Sequence, residues 1–589
     1  MFVVFTILIY FLLLFVLSQI TGRKSGNTAF FSGEHRSPWY VVAIGMVGAS
    51  ISGITFVSVP GMVMAYDMTY LQACMGFVVG YLVVAFVLLP LYYRNNLISI
   101  YGWLKDRLGN RSYKTASAFF LLSKMCGASL RFYVVCLILQ RFVLDEIGVP
   151  FSVSVVGMVL LIWLYTRRGG VKTLVWTDCF QTICMLGALL LVIWQTVDAL
   201  GLTIQEAAET VANHPNSRVF VLDDWISTQN FWKQFVSGIF IVIVMTGLDQ
   251  DMMQKNLTCK TLRDAQKDMC SYGCAFVPVN LLFLSLGVLL VMLTVQQGKV
   301  LPSDGDSLLP MFAASGDLGP AVIVMFTIGI IAASFSSADS AITSMTTVCC
   351  VDIFEKIDSE GVRRKTHIGV CALFAVFILL FEAVHSTSVI DAVYILCSYT
   401  YGPLLGMFAF GIITNRKVND KCVPYIACVA PLVCLFADKT TMLLLDYNFG
   451  YELLLMNGLL VFVAMLLCSS RVGHENGNRL NADCRCNVEL EGVEPSSAQG
   501  NHTLSTRLFQ PLIFEQQQEL DHQLMPYPLN FTVTSRPMTA ISDLPAPLCQ
   551  EDSEQHPLSD VSFSRLAGEL SLQSTMLRLS SESVLIFAN

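Results

Sequence analysis

The sequence predicts an all-α protein that crosses a membrane many times. Of its 589 residues, 54% are hydrophobic and only 14% are charged, whereas soluble domains carry about 25% charged residues. Apolar runs of roughly 20 residues, the length of a transmembrane helix, recur along most of the chain. Thirteen spans are predicted, near residues 1–20, 39–66, 69–92, 116–142, 150–165, 174–200, 231–250, 270–296, 319–350, 366–384, 388–414, 423–437 and 449–469.

The charges of the connecting loops predict the orientation of these spans. Basic residues are concentrated in every second loop, whereas the alternate loops carry Arg218, Lys299 and Lys439. Because basic loops stay in the cytoplasm, the N-terminus is predicted to lie outside and the C-terminus inside. The basic loops contain Arg23, Lys24, Arg36, Arg94, Lys105, Arg107, Arg111, Lys114, Arg167, Arg168, Lys172, Lys255, Lys260, Arg263, Lys267, Lys356, Arg363, Arg364, Lys365, Arg416, Lys417 and Lys421.

The first apolar run is predicted to be a membrane anchor and not a cleaved signal peptide. No basic region precedes it and no small-residue cleavage motif follows it, while Arg23 and Lys24 come directly after it. The chain also has 19 cysteines. They show no paired spacing, so we interpret them as small buried hydrophobic residues and not as disulfides or metal ligands.

The chain before its tail divides into three predicted regions. A leading span and the first cytoplasmic loop occupy 1–38, a ten-helix core occupies 39–416, and two trailing spans occupy 417–470. Hydropathy allows the core to consist of two five-helix halves of opposite orientation, 39–200 and 231–416. Inverted repeats of this kind are a common transporter design, with the binding site near the middle of the membrane.

Residues 471–589 form a polar, acidic tail. They contain no lysine, seven arginines and fifteen Asp or Glu residues, so they carry the entire formal net charge of −8. Such a composition buries too little apolar surface to fold, and we predict a largely disordered cytoplasmic segment. It contains no kinase, nucleotide-binding or metal motif.

The stretch from Ile331 to Asp352 is long enough to lie in a membrane, yet it is rich in hydroxyl groups. Ser336, Asp339 and Ser340 are spaced so that a helix places them on one face, with Ser337 beside them. Serines in membrane helices often only bond to the preceding turn or to a neighbouring helix. Hydroxyls together with a carboxylate at membrane depth more often mark an ion or substrate path.

A second stretch, Gly48 to Gly53, reads GASISG and precedes the pair Pro60–Gly61. Small residues and a Pro–Gly pair are typical of a helix that is interrupted near its middle. Unwound backbone at such a break exposes carbonyl oxygens that coordinate a cation.

Three ordered motifs resemble those of the sodium/solute symporter family. The first contains Gly169–Gly170, Trp176–Asp178 and Gln181; the second is Gly247–Gln250; the third is the helix Ser336–Asp352 with its terminal acid. The resemblance covers about residues 1–470. It implies the leucine-transporter-type fold, with a five-plus-five inverted repeat preceded by one helix and followed by two.

The resemblance also implies a main sodium site. In the family, backbone carbonyls of the broken first core helix and of the eighth core helix combine with two adjacent hydroxyls. The matching positions here are Gly48, Ile51, Ala333, Ser336 and Ser337. The oxygens at these positions suit a small, hard cation.

A second cation site is implied by Asp178, Ser336, Asp339 and Ser340. Asp339 departs from the family pattern, where a hydroxyl is common. Two nearby carboxylates either bind a cation more tightly or share a proton, so sodium and proton remain alternatives at this site. Asp178 also suits a role as a helix cap, because it lies in the first turn of its helix.

Candidate solute-binding residues are Ser52 and Thr55 on the broken helix, Arg131 on the third core helix and Gln72 on the second. This set resembles the pattern of sialic-acid-transporting members of the family. A membrane-embedded arginine binds a carboxylate through two parallel hydrogen bonds. The alternatives are that Arg131 pairs with an internal carboxylate or extends its charge to the membrane surface, and that Ser52 and Thr55 are packing residues.

We therefore expect a sodium-coupled symporter of the plasma or inner membrane that imports a small organic solute, such as sialic acid. Its partners are the solute, one or two sodium ions and the lipid bilayer. No enzyme activity, organic cofactor or nucleic acid is expected, and no oligomeric state is predicted. Alternatives are symport of a neutral sugar, inositol, proline or choline, or a role as a transporter-derived sensor.

Overall fold

The computed structural model describes residues 2–470, except 24, 141–143, 145–147, 226, 303–304, 383–388, 446–448 and 450–451. The predicted acidic tail, 471–589, lies outside the described residues. The described part is helical apart from short connections and a two-stranded antiparallel sheet. In that sheet β1, Lys417–Val418, pairs with β2, Ser469–Ser470.

The first ten α-helices of the described residues end at residue 199. A π-helical turn, Val84–Leu88, joins two of these helices into one continuous rod. The helices are α1 Phe2–Thr21, α2 Asn27–Ser32, α3 Trp39–Ser50, α4 Gly53–Tyr66, α5 Tyr70–Val83, α6 Leu89–Arg94, α7 Gly102–Arg107, α8 Asn110–Leu139, α9 Phe151–Thr166 and α10 Val171–Ala199.

The helices that follow begin with a short amphipathic helix that is capped by Thr203, whose hydroxyl accepts from the Glu206 amide. Further π-helical turns are Ile243–Gly247 and Cys349–Ile353. The helices are α11 Ile204–Asn213, α12 Phe231–Val242, α13 Gln250–Asn256, α14 Leu262–Gln296, α15 Leu308–Ser315, α16 Pro320–Val348, α17 Glu360–Glu382, α18 Val389–Ile413, α19 Val423–Leu445 and α20 Glu452–Leu467.

Thirteen apolar helical segments occupy the positions of the predicted spans within the described residues. Seven are helices long and apolar enough to cross a membrane, two are bent helix pairs, and four are shorter apolar helices. The seven long helices range from Tyr70–Arg94 to Val423–Met442. The prediction of a multi-pass, mostly helical architecture therefore agrees with the folded chain.

The first bent pair is α3 and α4, which meet at an angle of 61°. The break falls within the predicted GASISG stretch, where Ile51 and Ser52 adopt extended backbone angles. The Ser52 hydroxyl then caps α4 by accepting from the Thr55 amide at 3.5 Å. Pro60 does not cause the break, because it lies inside α4.

The second bent pair is α12 and α13, which meet at 68° across Leu248 and Asp249. This break was not predicted from the sequence. Asp249 starts α13, because its carboxylate accepts from the Asp251 amide at 2.8 Å. The Gly-Leu-Asp sequence at 247–249 is the local feature from which this break could have been predicted.

Helices α10 and α16 pack along each other, and α3 packs against both. Small residues permit the close approach. A side chain at Gly48 would overlap Thr182 of α10, and a side chain at Gly53 would overlap Ser334 of α16. The break between α3 and α4 is therefore held directly against the hydroxyl-rich helix.

Candidate functional site

A small cavity of about 80 Å³ lies between the two breaks and α8. Polar and charged groups at the depth of membrane helices are costly unless they are paired or functional, so this cavity marks the candidate site. Its polar lining consists of Ser50, Tyr81, Lys124, Arg131, Thr246, Asp249, Asp251, Tyr272 and Ser337.

The carboxylate of Asp178, on α10, is fully buried and contacts three side chains. Lys255 lies with its Nζ 2.8 Å from Asp178 Oδ2. The Ser336 hydroxyl donates to Oδ1 at 2.9 Å, and the Ser340 hydroxyl donates to Oδ2 at 3.4 Å. Asp178 is thus held by two helices and is not an exposed cap at the start of α10.

Asp339 lies beside this group and is also fully buried. The Tyr165 hydroxyl, from α9, donates to Asp339 Oδ2 at 2.6 Å, and Ser340 donates to Oδ1 at 3.3 Å. Ser340 therefore bridges the two carboxylates. The structure brings together all four residues of the predicted second cation site, Asp178, Ser336, Asp339 and Ser340.

Lys255 also belongs to this buried group around Asp178, which was not predicted from the sequence. The charge pattern predicts Lys255 in a basic cytoplasmic loop, but its side chain is only 2% exposed and lies within α13. An unpaired ammonium group at such a position costs several kcal/mol, which the pairing with Asp178 offsets. The run of apolar residues around α13 is too short for the sequence to predict that Lys255 is buried.

A chain of ion pairs runs from Lys255 toward the cavity. Lys124, on α8, lies 2.7 Å from Asp251 and 2.9 Å from Asp249. Asp251 also lies 3.9 Å from Lys255 Nζ. The Tyr401 hydroxyl donates to Asp249 at 2.8 Å. These ion pairs lock the second broken helix, α13, to α8 and α10.

The predicted main sodium ligands lie on both sides of the contact between α3 and α16. Gly48 and Ile51 belong to the end of α3, where a helix leaves carbonyl oxygens without intrahelical partners. The Ser337 hydroxyl lines the cavity and donates to the carbonyls of Ala333 at 3.2 Å and Ser334 at 3.0 Å. Ser336, in contrast, turns its hydroxyl toward Asp178.

Arg131 lies on the same face of α8 as Lys124, two turns further along, and it lines the cavity. Among the residues that the structure describes, no carboxylate lies within ion-pair distance of Arg131. Its Nε is buried and has no hydrogen-bond acceptor there. The described chain therefore provides no internal carboxylate partner for this guanidinium group.

The other predicted solute-binding residues are not brought together with Arg131. Ser52 is only 4% exposed and caps α4, with Thr55 Oγ1 3.4 Å from its hydroxyl. Gln72 donates to the Gln229 carbonyl at 2.9 Å and accepts from the Val221 amide at 3.1 Å. Gln72 therefore holds the loop before α12 and does not line the cavity.

Hydroxyl groups that were not predicted line the cavity opposite Arg131. Ser50, at the end of α3, hydrogen-bonds the hydroxyl of Tyr272 on α14. The Tyr81 hydroxyl, from α5, donates to the same Tyr272 oxygen at 2.6 Å. Ser50 was within the predicted break, but the tyrosines lie on helices whose contact no local pattern reveals.

Residues 30–421 match the model of the sodium:solute symporter family. This chain belongs to the sodium:solute symporter family. Family membership confirms the resemblance that the three motifs indicated. The members of this family are transporters, and the apolar helices of the described residues agree with a multi-pass membrane protein.

Two curated members of the family show the extent of the similarity. The human sodium/iodide cotransporter is 24% identical over 413 residues, which cover 66% of this chain and 62% of that protein. The sodium/sialic acid symporter of Proteus mirabilis (strain HI4320) is 22% identical over 435 residues, which cover 72% of this chain and 87% of that protein. The chain thus spans less than two thirds of the human relative's length.

A solved structure of a sodium-coupled sialic acid symporter, in a substrate-bound outward-open state, has the same fold. It superposes with a TM-score of 0.68 at 18% identity, covering 80% of this chain and 99% of that one. The superposition therefore confirms the leucine-transporter-type fold that was predicted for this chain.

Proposed function

We propose that this chain is a sodium-coupled symporter that imports a small solute carrying a carboxylate. The observation that carries the proposal is the guanidinium group of Arg131, which lines the cavity and has no carboxylate partner among the described residues. A bound carboxylate would provide the two parallel acceptors that guanidinium favours. The two curated relatives, named for iodide and sialic acid, both carry anions.

The same proposal includes thirteen membrane crossings, with the N-terminus outside. The apolar segments of the described chain have the required positions. The alternation of basic and non-basic loops supports the orientation, although two of the residues counted as loop charges are buried, Lys255 in α13 and Arg363 at the start of α17. The neighbouring residues Lys260, Arg263 and Lys267 keep the region around Lys255 basic.

We propose that one sodium ion binds between the end of α3 and α16. The carbonyls of Gly48, Ile51 and Ala333 and the hydroxyls of Ser336 and Ser337 would hold it. Bound sodium would fix the contact between the broken helix and α16 and complete the solute site. By thermodynamic reciprocity, sodium and solute raise each other's affinity by the same factor. Each sodium ion entering at 100 mV contributes about 2.3 kcal/mol to uptake.

We further propose that the ammonium group of Lys255 takes the place of a second sodium ion. It lies 2.8 Å from Asp178, the carboxylate that a second sodium ion would need. Sodium at Asp178, Asp339 and Ser340 would have to displace this buried cation. A tethered cation at this position favours a stoichiometry of one sodium ion per solute.

Uptake into proteoliposomes tests the proposal. The purified chain would be supplied with radiolabelled sialic acid, lactate, iodide, proline and a neutral sugar, with an inward sodium gradient and with potassium in its place. Sodium-dependent accumulation of sialic acid or lactate is the expected result. Accumulation of iodide alone would indicate an inorganic anion as the substrate, and sodium-dependent uptake of only the neutral solutes would reject the role of Arg131. A complete lack of sodium dependence would reject the symporter.

A further inference from the structure

A second, larger cavity of about 870 Å³ lies away from the site described above, between the ends of α1, α9 and α17. These ends belong to loops that we place on the cytoplasmic face. Five arginines line the cavity: Arg23, Arg167, Arg168, Arg363 and Arg364. The symporter function assigns no role to this cluster, which we call the arginine cleft.

Arg363 gives the arginine cleft a buried and incompletely bonded cation. Its side chain is 3% exposed, yet Nε and Nη1 have no hydrogen-bond acceptor among the described residues. The guanidinium group is held over the ring of Phe30, 4.6 Å from its centroid. A buried charged donor without an acceptor costs free energy, which a bound anion would recover.

Arg167, at the end of α9, repeats this arrangement in the arginine cleft. Its guanidinium group lies 5.0 Å from the ring centroid of Trp163, and its buried Nε has no acceptor in the described part of the chain. The acidic residue in the lining is Glu360, which is paired with the exposed Arg364 at 2.8 Å. Positive charge therefore exceeds negative charge in the arginine cleft.

The lining of the arginine cleft also includes exposed apolar side chains. Ile20 on α1 is 68% exposed and Ile368 on α17 is 51% exposed. Both line the cleft, so one ligand would contact arginines with its head and exposed aliphatic side chains with its tail. Basic pockets between transmembrane helices at the cytoplasmic side suit phosphorylated lipid headgroups, and planar guanidinium groups match phosphate oxygens.

We propose that the arginine cleft binds the phosphorylated headgroup of an anionic membrane phospholipid, with its acyl chains along Ile20 and Ile368. The site adjoins the ion-binding region through α9. Two residues before Arg167, Tyr165 donates its hydroxyl to Asp339, and the Ser18 hydroxyl of α1 bonds the Tyr165 carbonyl. A headgroup that braces α1 against α9 would therefore stabilise the position of Tyr165.

Direct binding tests the inference independently of transport. The purified full chain in phosphatidylcholine nanodiscs would be titrated with a short-chain phosphatidylinositol bisphosphate. Arg167→Gln with Arg363→Gln should weaken binding at least tenfold. The matched control, Arg94→Gln with Arg263→Gln, removes two exposed arginines from other basic loops and should change the Kd less than twofold. Equal Kd values for both double variants would overturn the proposal.

Two further measurements test whether a loss of binding reflects unfolding, and whether the phosphate belongs to a lipid or to a soluble compound. Arg168→Gln with Arg364→Gln changes only exposed side chains of the cleft and should weaken binding without altering thermal unfolding; unchanged binding would contradict the site. Soluble inositol trisphosphate should bind at least tenfold more weakly than the lipid. Equal affinity of the two would identify a free phosphate as the ligand and reject a lipid.

The acidic tail is a competing occupant, and the full chain can be used to test it. Neutralising Glu551, Asp552 and Glu554 to their amides should leave lipid binding unchanged. A tenfold gain in lipid affinity that Arg167→Gln with Arg363→Gln removes would show that the tail competes with the lipid for the arginine cleft and would support the cleft as the lipid site. A gain that these two substitutions leave in place would put the lipid elsewhere and overturn the proposal. All of these results stand whether or not sodium-dependent uptake of any solute is found.

Discussion

The Nζ of Lys255 lies 2.8 Å from the carboxylate of Asp178, inside a part of the chain where both side chains are almost fully buried. The two residues lie on helices that are distant in the sequence, Lys255 on α13 and Asp178 on α10. Their ion pair connects the second broken helix to the helix that borders the proposed sodium site. The consequences for coupling can be measured.

Lys255→Gln should make room for a second sodium ion. Removing the ammonium group leaves Asp178 free to join Asp339 and Ser340 as cation ligands, since all three already lie together. We expect the Hill coefficient for sodium activation of uptake to rise from about one toward about two, because two coupled ions then act on one solute. The ratio of charge to solute measured in proteoliposomes should rise with it.

The control for this variant is Lys260→Gln, which neutralises an exposed lysine in the following loop. It should leave the sodium dependence unchanged. If Lys255→Gln transports with an unaltered Hill coefficient and charge ratio, the tethered-cation interpretation is wrong.

Replacing both Ser336 and Ser337 by alanine should abolish sodium coupling. The two hydroxyls contribute two of the five proposed ligand oxygens, and the carbonyls alone would bind sodium weakly. Sodium-driven uptake should fall at least tenfold, equivalent to about 1.4 kcal/mol or more in sodium binding. Sodium-dependent changes in tryptophan fluorescence provide a second measurement that does not require a known solute.

Ser344→Ala is the matched control for the serine pair. Ser344 is also buried in α16, and its hydroxyl donates to the Ala341 carbonyl, one turn earlier. Uptake by this variant should stay within about twofold of the unmodified protein, because the hydroxyl only bonds its own helix. Equal losses in both variants would indicate general damage to α16 in place of a lost sodium site.

Arg131→Gln should raise the KM for a carboxylated solute at least tenfold, with a smaller effect on sodium binding. A hydrogen bond between charged groups contributes about 1.5–3 kcal/mol. Arg131→Lys keeps the charge but loses the two parallel donors, so it should show an intermediate KM. A KM that does not respond to either substitution would exclude contact between Arg131 and the solute.

Asp352→Ala should lower the stability of the folded chain. The carboxylate accepts hydrogen bonds from Ser99 at 2.6 Å, Tyr113 at 2.9 Å and Ser117 at 3.0 Å, and it is fully buried. Losing a charged acceptor shared by three buried donors should cost about 3 kcal/mol. Thermal unfolding in detergent should show a clear decrease in Tm.

Glu355→Gln provides the comparison for Asp352. Glu355 lies in the same segment but is 51% exposed, and it pairs with Lys114 at 2.5 Å. This hydrogen bond holds the pKa of the Glu355 carboxyl below its usual range. Exposed ion pairs contribute little, so Tm should hardly change. A similar Tm loss in both variants would contradict the role assigned to burial.

Several features followed from the sequence because they depend on local pattern. The apolar segments, the break near Gly48–Gly53 and the shared face of Ser336, Asp339 and Ser340 all depend on residues close together in the chain. The family motifs predicted that this face contacts Asp178. In the structure the Ser336 hydroxyl donates a hydrogen bond to the Asp178 carboxylate.

Other features were decided only by tertiary contacts. The sequence alone determined the class of the protein, its approximate spans, its family and the helices on which the sodium sites are proposed, since apolar length and residue spacing are local quantities. The folded chain decided that Lys255 is buried, that α12 and α13 break at Leu248–Asp249, and that Gln72 holds a loop. The reason is physical: a charged or polar side chain is buried only where a distant helix supplies its partner, and that partner is not visible in the neighbouring sequence.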